Sequence, residues 1–166
     1  MNFLPIENIT YHTSLTQEEV VHRLKENTEL EKNLRFRLFS NKETKCYEGY
    51  ISEKYFSIKR IIGYGNSFLP RIKGSIQKDI QGTKIEVKMR LQDFVAVFLG
   101  IWCFGVGTGF IAILISSINK SEFEPVMFIP LGMFLFAYLL TLGGFKSESS
   151  KSIKDIEKII NGQRIK

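Results

Sequence analysis

The sequence contains few of the side chains that catalyse reactions or bind transition metals. It has two histidines, His12 and His22, and two cysteines, Cys46 and Cys103, spread along the chain. None of them is arranged with the close ligand spacing of a zinc site. General acid–base and nucleophilic chemistry also relies mainly on such residues. We therefore expect no enzyme activity, no cofactor and no metal site, and we expect both cysteines to remain reduced.

Charge is absent from two long segments of the chain. The first runs from Phe94 to Ile118 and the second from Val126 to Phe145, and neither contains an aspartate, glutamate, lysine, arginine or histidine. A helix needs about 20 apolar residues to cross the hydrocarbon core of a bilayer. The pattern predicts a transmembrane hairpin over residues 93–146, with spans at 94–118 and 126–145 and a turn at 119–125.

The absence of charge inside these spans also restricts their function. Transport routes and proton relays usually need an intramembrane ionisable residue, so a transporter component is only a minor alternative. Gly105 and Gly109 form a GxxxG motif, which allows close helix approach. This face is predicted to pack on Gly132 and Ala137 of the second span, to bind a partner protein, or to face lipid.

Basic residues flank the hairpin on one side. Lys84, Lys88 and Arg90 precede the first span, and Lys146 and Lys151 follow the second. Because positive charge marks the cytoplasmic side, both termini are predicted to be cytoplasmic and loop 119–125 external. We expect an integral protein of a bacterial inner membrane.

Residues 1–92 have the pattern of an α+β domain. Thr16 and Glu19 form a capping box that starts a helix at Gln17, predicted to end near Glu29. Alternating apolar residues predict half-buried strands. Five strands lie at Leu34–Phe39, Cys46–Ile51, Tyr55–Ile62, near residues 70–77 and at Lys84–Leu91, and Asn8–His12 is a candidate for one further short strand. We expect one helix on an antiparallel sheet of four or five strands.

Residues 147–166 are predicted to form a short amphipathic cytoplasmic helix of their own. Ser149 or Ser150 provides a cap, and Asn161-Gly162 provides a stop. The isoleucines between them fall on one face, and lysines occupy the other.

The predicted strands before the hairpin place basic side chains on one sheet face. These are Arg71, Lys73, Lys84, Lys88 and Arg90, against the single acidic residue Glu86. Such a face beside the cytoplasmic leaflet would attract anionic lipid, or it would contact a partner or only solvent. Nucleic acid is not expected, because the aromatic residues do not interleave with the basic ones.

The stretch YEGYISEKYFSIKRIIGYGNSFLPRIKGSIQKDIQGTKIEVKMRL is followed immediately by the two apolar runs. This pattern, from Tyr47 to Phe145, resembles uncharacterised small bacterial membrane proteins with an N-terminal α+β domain and a two-helix hairpin. The resemblance implies the fold, and it implies no activity.

The sequence therefore favours a membrane-anchored, non-enzymatic interaction module. We expect an accessory subunit of an inner-membrane complex, with a protein partner or a second copy of the chain. The alternative is a tethered domain that binds anionic lipid, and an unrecognised enzyme or transporter component is a minor alternative.

Overall fold

The computed structural model describes residues 4–30, 45–120 and 125–165. Its strands are β1 (Ile6–Thr13), β2 (Thr28–Glu29), β3 (Tyr47–Ile51), β4 (Tyr55–Arg60), β5 (Arg71–Asp79), β6 (Gly82–Arg90) and β7 (Gln163–Ile165). Its helices are α1 (Gln17–Glu26), α2 (Asp93–Lys120) and α3 (Phe128–Ile160), with a 3₁₀ turn at Pro125–Met127. The protein is α+β, as predicted, and its sheet lies beside two long apolar helices.

The described strands form one mixed sheet of seven in the order β2-β3-β4-β5-β6-β1-β7. The prediction of four or five antiparallel strands was wrong in number and type, because β2 pairs parallel to β3 and β7 adds to β1. Both extra strands are two or three residues long, too short for a detectable alternation. The predicted strand Leu34–Phe39 lies outside the described residues.

Helix α1 begins as predicted, with the Thr16–Glu19 capping box formed in both directions. It ends at Glu26, earlier than predicted, since Thr28 and Glu29 pair with β3 instead. Val20, Val21 and Leu24 are buried against the sheet.

Helix α3 is one uninterrupted helix of 33 residues. The prediction of a separate amphipathic tail helix was therefore wrong. Ser149 does not cap a new helix; it is buried within α3, and so is Ser152. The second half of α3 packs on the sheet through Ile153, Ile156 and Ile160, which join α1 in the core. The helix ends at Asn161, as predicted, in a left-handed conformation.

Helices α2 and α3 are each long and apolar enough to cross a membrane. Trp102 meets Phe134 edge-on, with ring centroids 6.2 Å apart, where the two helices touch. Pro130 is the third residue of α3 and therefore lies in its first turn, where proline needs no kink.

Candidate interaction surface

Among residues 4–30, 45–120 and 125–165, helices cover one face of the sheet and leave the other open. Helix α1 and the second half of α3 both pack on the face that carries the core. We call the opposite side the uncovered face. It consists of the outward residues of β1, β6, β5 and β4: Ile6, Asn8, Thr10, His12, Lys84, Glu86, Lys88, Arg90, Arg71, Lys73, Ser75, Gln77, Tyr55, Ser57 and Lys59.

The strand register brings the five predicted basic residues together on this face. Arg71 lies directly opposite Arg90, and Lys73 lies directly opposite Lys88. Lys84 lies opposite the neutral Gln77. Like charges directly opposite each other destabilise a sheet, so two adjacent pairs of this kind cost stability.

Neighbouring groups offset only part of this repulsion. Arg90 lies 3.4 Å from Asp93, and Arg71 Nε donates to Ser57 Oγ at 3.2 Å. Within the described ranges, Lys73 and Lys88 have no carboxylate partner. These two lysines are therefore the positive charges best placed to meet an external anion.

Lys84 is satisfied locally. Its ammonium lies 2.7 Å from Glu86 Oε1. The hydrogen bond to Glu86, together with the charge of Glu86, raises the pKa of Lys84 above its ordinary value. Since Glu86 is occupied by Lys84, it does little to neutralise the lysine pair.

A shallow concavity of about 430 Å³ lies at the centre of the uncovered face. Lys73 and Lys88 line it together with Tyr55, Asn8 and Glu86. Tyr55 and the neighbouring Tyr50 of β3 are each 64% exposed. Tyrosine is enriched among the residues that dominate binding energy, so two exposed tyrosines at this concavity favour a binding surface.

Sequence reasoning missed these two tyrosines. Tyr50 pairs with Ser57, and Ser57 pairs with Lys73, so Tyr50, Ser57 and Lys73 lie in one row across the sheet. The period-2 alternation of β3 and β4 could have placed Tyr50 and Tyr55 outward, but only the strand order shows that they flank the basic residues.

Strand β1 runs alongside the second half of α3. At one end, Glu7 forms an ion pair with Lys146. Farther along, the hydroxyl of Tyr11 donates to the carbonyl of Ile153. At the other end, the hydroxyl of Thr13 donates to the carbonyl of Ile160 at 2.8 Å. From Glu7 to Thr13 a strand spans about 20 Å. From Lys146 to Ile160 a helix spans about 21 Å. The strands next to β1 therefore run along the axis of α3.

A buried ionic cluster fixes α3 to the covered face. Glu148 is 1% exposed and accepts hydrogen bonds from Tyr64 and, at 2.7 Å, from Lys151. Arg60 lies 3.5 Å from Glu148 and 3.2 Å from Asp155. Burial alone would raise the pKa of Glu148, but the hydrogen bonds and the two cations outweigh it and hold the pKa below its ordinary value.

The predicted helix-packing glycines do not line the contact between α2 and α3. A Cβ atom built on Gly105, Gly109 or Gly132 would meet no atom within 4 Å, whereas one on Gly107 would meet Phe134 at 3.9 Å. Ala137 is half-buried on α3. Gly105 and Gly109 are thus open to lipid or to a partner, which are two of the three roles considered for them.

Neither histidine lies in a catalytic arrangement. His12 lies 3.3 Å from Asp79, and His22 lies 3.6 Å from Glu26, one turn along α1. In the part of the chain that the structure describes, no three His, Cys, Asp or Glu side chains group as metal ligands. Cys46 and Cys103 are both free.

Comparison of the chain with protein-family models, curated proteins and solved structures finds no match.

Proposed function

We propose that this protein is a membrane-anchored, non-enzymatic interaction module that docks an acidic surface of a partner protein onto its uncovered face. The hairpin of α2 and α3 would hold the sheet on the cytoplasmic side of a bacterial inner membrane, where the protein would serve as an accessory subunit of a larger complex. The observation that carries this proposal is the pair Lys73–Lys88, which face each other with no carboxylate partner among the residues that the structure describes.

Charge complementarity defines the partner. An acidic surface would neutralise the facing lysines Lys73 and Lys88, so binding would remove the repulsion between them. Tyr50 and Tyr55 would add apolar contact beside the charges. An interface of ordinary size buries about 800 Å² on each partner, and four strands of this sheet offer a face of that order.

The direction of the strands limits the part of the uncovered face that a lipid surface would reach. If the apolar half of α3 crosses the bilayer, the strands beside its second half rise away from the membrane. Arg90 then lies near the headgroups, while Lys84, six residues earlier, lies about 20 Å above it. Lys84 is therefore beyond the screening length of about 8 Å at physiological salt. Lys88, two residues from Arg90, lies only about 7 Å above it, so lipid would attract the lower half of the face and not the upper half.

A second candidate is anionic lipid at that lower edge. Ile6 lies opposite Arg90, which lies opposite Arg71, and the nearby Leu4 is 64% exposed. Apolar and basic residues side by side are typical of a segment that contacts an anionic membrane surface. This contact would orient the domain on the membrane.

The test is to purify the full chain in mild detergent from its native host. The double variant K73E/K88E is compared with K25E/K154E, which changes the net charge equally at exposed sites on α1 and on the outer side of α3. We expect a stoichiometric partner with the wild type and with K25E/K154E, and its loss with K73E/K88E.

Two results would contradict the proposal. One is recovery of the wild type without any stoichiometric protein. The other is a partner that stays bound to K73E/K88E. If the double variant instead loses phosphatidylglycerol that co-purifies with the wild type, and no protein is lost, the lipid candidate replaces the protein partner.

A further inference from the structure

A groove of about 660 Å³ lies where α2 leaves the sheet, and we call it the junction groove. One wall is the first two turns of α2, and the other is the segment between β4 and β5. Its lining residues are Asn66, Ser67, Phe68, Gln92, Phe94, Val95, Phe98 and Leu99. It belongs neither to the uncovered face nor to the contact between α2 and α3.

The wall opposite α2 is held in place by α3. Asn66 Nδ2 donates to the carbonyl of Gly144 at 3.1 Å, and Asn66 Oδ1 accepts from the backbone of Phe68 at 2.9 Å. Phe68 packs so closely that a Cβ atom on Gly144 would lie 2.9 Å from its ring. The groove is therefore formed in the free protein rather than by a ligand.

Polarity divides the groove along its length. Gln92 lies where α2 leaves the sheet, and Asn66, with Ser67 next to it in the chain, is held at Gly144 near the end of the second apolar run. Aromatic and aliphatic side chains line the groove along α2. The side chains of Ser67 and Gln92 form no hydrogen bond to other residues that the structure describes. Phe94 and Phe98 are 81% and 58% exposed, so the apolar end opens onto the surface of α2.

This division coincides with the start of the apolar run. Gln92 precedes the run by two residues, so in an inserted protein the polar end lies at the level of the headgroups. The apolar end lies in the hydrocarbon layer. A ligand that fits must itself be polar at that level and apolar below it.

We infer that the junction groove holds one membrane phospholipid. This inference rests on the proposed membrane insertion. An acyl chain lies along Phe94 and Phe98, and the glycerol ester and phosphate region accepts hydrogen bonds from Ser67 and Gln92. Because no charged side chain lines the groove, recognition depends on hydrogen bonding and shape, and phosphatidylethanolamine and phosphatidylglycerol are bound alike.

Native mass spectrometry of the full chain in detergent, with either phospholipid added back, tests this inference. Val95→Trp and Ser67→Trp fill the groove from opposite walls, and Ile115→Trp adds the same bulk to an exposed position farther along α2. We expect one lipid per chain in the wild type and in Ile115→Trp. We expect at least a fivefold lower occupancy in both groove variants.

Equal lipid occupancy in all four proteins, or no bound lipid in the wild type, would overturn the inference. Loss of lipid in Ile115→Trp as well would show general lipid contact rather than a site, and would also overturn it. Membrane insertion is measured separately through Trp102, the single tryptophan of the chain. Quenching of Trp102 by brominated lipids shows insertion whether or not the groove binds lipid.

Discussion

The two faces of the sheet handle charge in opposite ways. On the covered face, Glu148 is buried and meets Arg60, Tyr64 and Lys151. On the uncovered face, Lys73 faces Lys88. The first arrangement satisfies a charge that burial would otherwise penalise, and the second leaves repulsion in place where solvent screens it. The charges on the covered face therefore stabilise the fold. The facing lysines on the uncovered face do not, so a contribution to the stability of the fold does not explain them.

The largest expected effect comes from the core of the covered face. Ile156 is 0% exposed, so Ile156→Ala should leave a cavity and lower the free energy of unfolding by about 2–5 kcal/mol. Lys88→Ala on the uncovered face is the matched control and should change it by less than about 0.5 kcal/mol. Denaturant unfolding of the sheet domain in detergent measures both. Equal effects would remove the distinction between the faces.

Neighbouring residues of β5 sharpen the same contrast. A Cβ atom on Gly74 would lie 2.2 Å from the buried ring of Phe56, so Gly74→Ala forces that ring to move. We expect a loss of about 1–3 kcal/mol. Ser75→Ala, one residue on and facing outward, should be nearly neutral. A stable Gly74→Ala protein would show that the core beneath β5 is loosely packed; thermal unfolding distinguishes these outcomes.

The buried carboxylate gives a pH-dependent effect. Glu148→Gln should destabilise by about 1–3 kcal/mol at neutral pH, because hydrogen bonds to a charged group are lost. Since the folded-state pKa of Glu148 is lowered, its stabilisation is complete above the ordinary value of 4.5 and is lost as the pH falls through the lowered pKa. Unfolding of both proteins between pH 7 and pH 3 should therefore give converging curves. A constant difference across this range would contradict the assignment.

The smallest expected effect has the opposite sign. Lys73→Glu replaces a like-charge pair with an opposite-charge pair, so it should raise the free energy of unfolding by up to about 1 kcal/mol at low salt. The gain should shrink as salt is added. Lys25→Glu on α1 serves as the control for net charge. If Lys73→Glu lowers stability, the lysine pair is not a source of repulsion.

Several features were readable from the sequence for clear physical reasons. Capping chemistry is local, so Thr16 and Glu19 identified the start of α1. Strict alternation identified β6, and the same alternation put Lys84, Lys88 and Arg90 on one face. Two charge-free runs identified two helices that are long and apolar enough to cross a membrane.

Only the tertiary structure shows which of these elements pack against each other. Nothing local in residues 146–160 distinguishes a separate amphipathic helix from the continuation of an apolar one, and only packing on the sheet makes α3 continuous. From the sequence, Glu148 would be placed on the protein surface. Its partners Arg60 and Tyr64 lie more than 80 positions earlier, so no local pattern reveals that it is buried. The junction groove was equally hidden, since it joins α2 to a distant segment.

The sequence by itself determined the class of each segment, because periodicity, capping and the absence of charge act within a few residues of one another. It determined an α+β domain, two apolar helices and a basic strand pair. Only the tertiary structure decided the partner of each face, because that depends on strand order and on contacts between residues far apart in the chain. It left the face of Lys73 and Lys88 uncovered and set α3 against the other side.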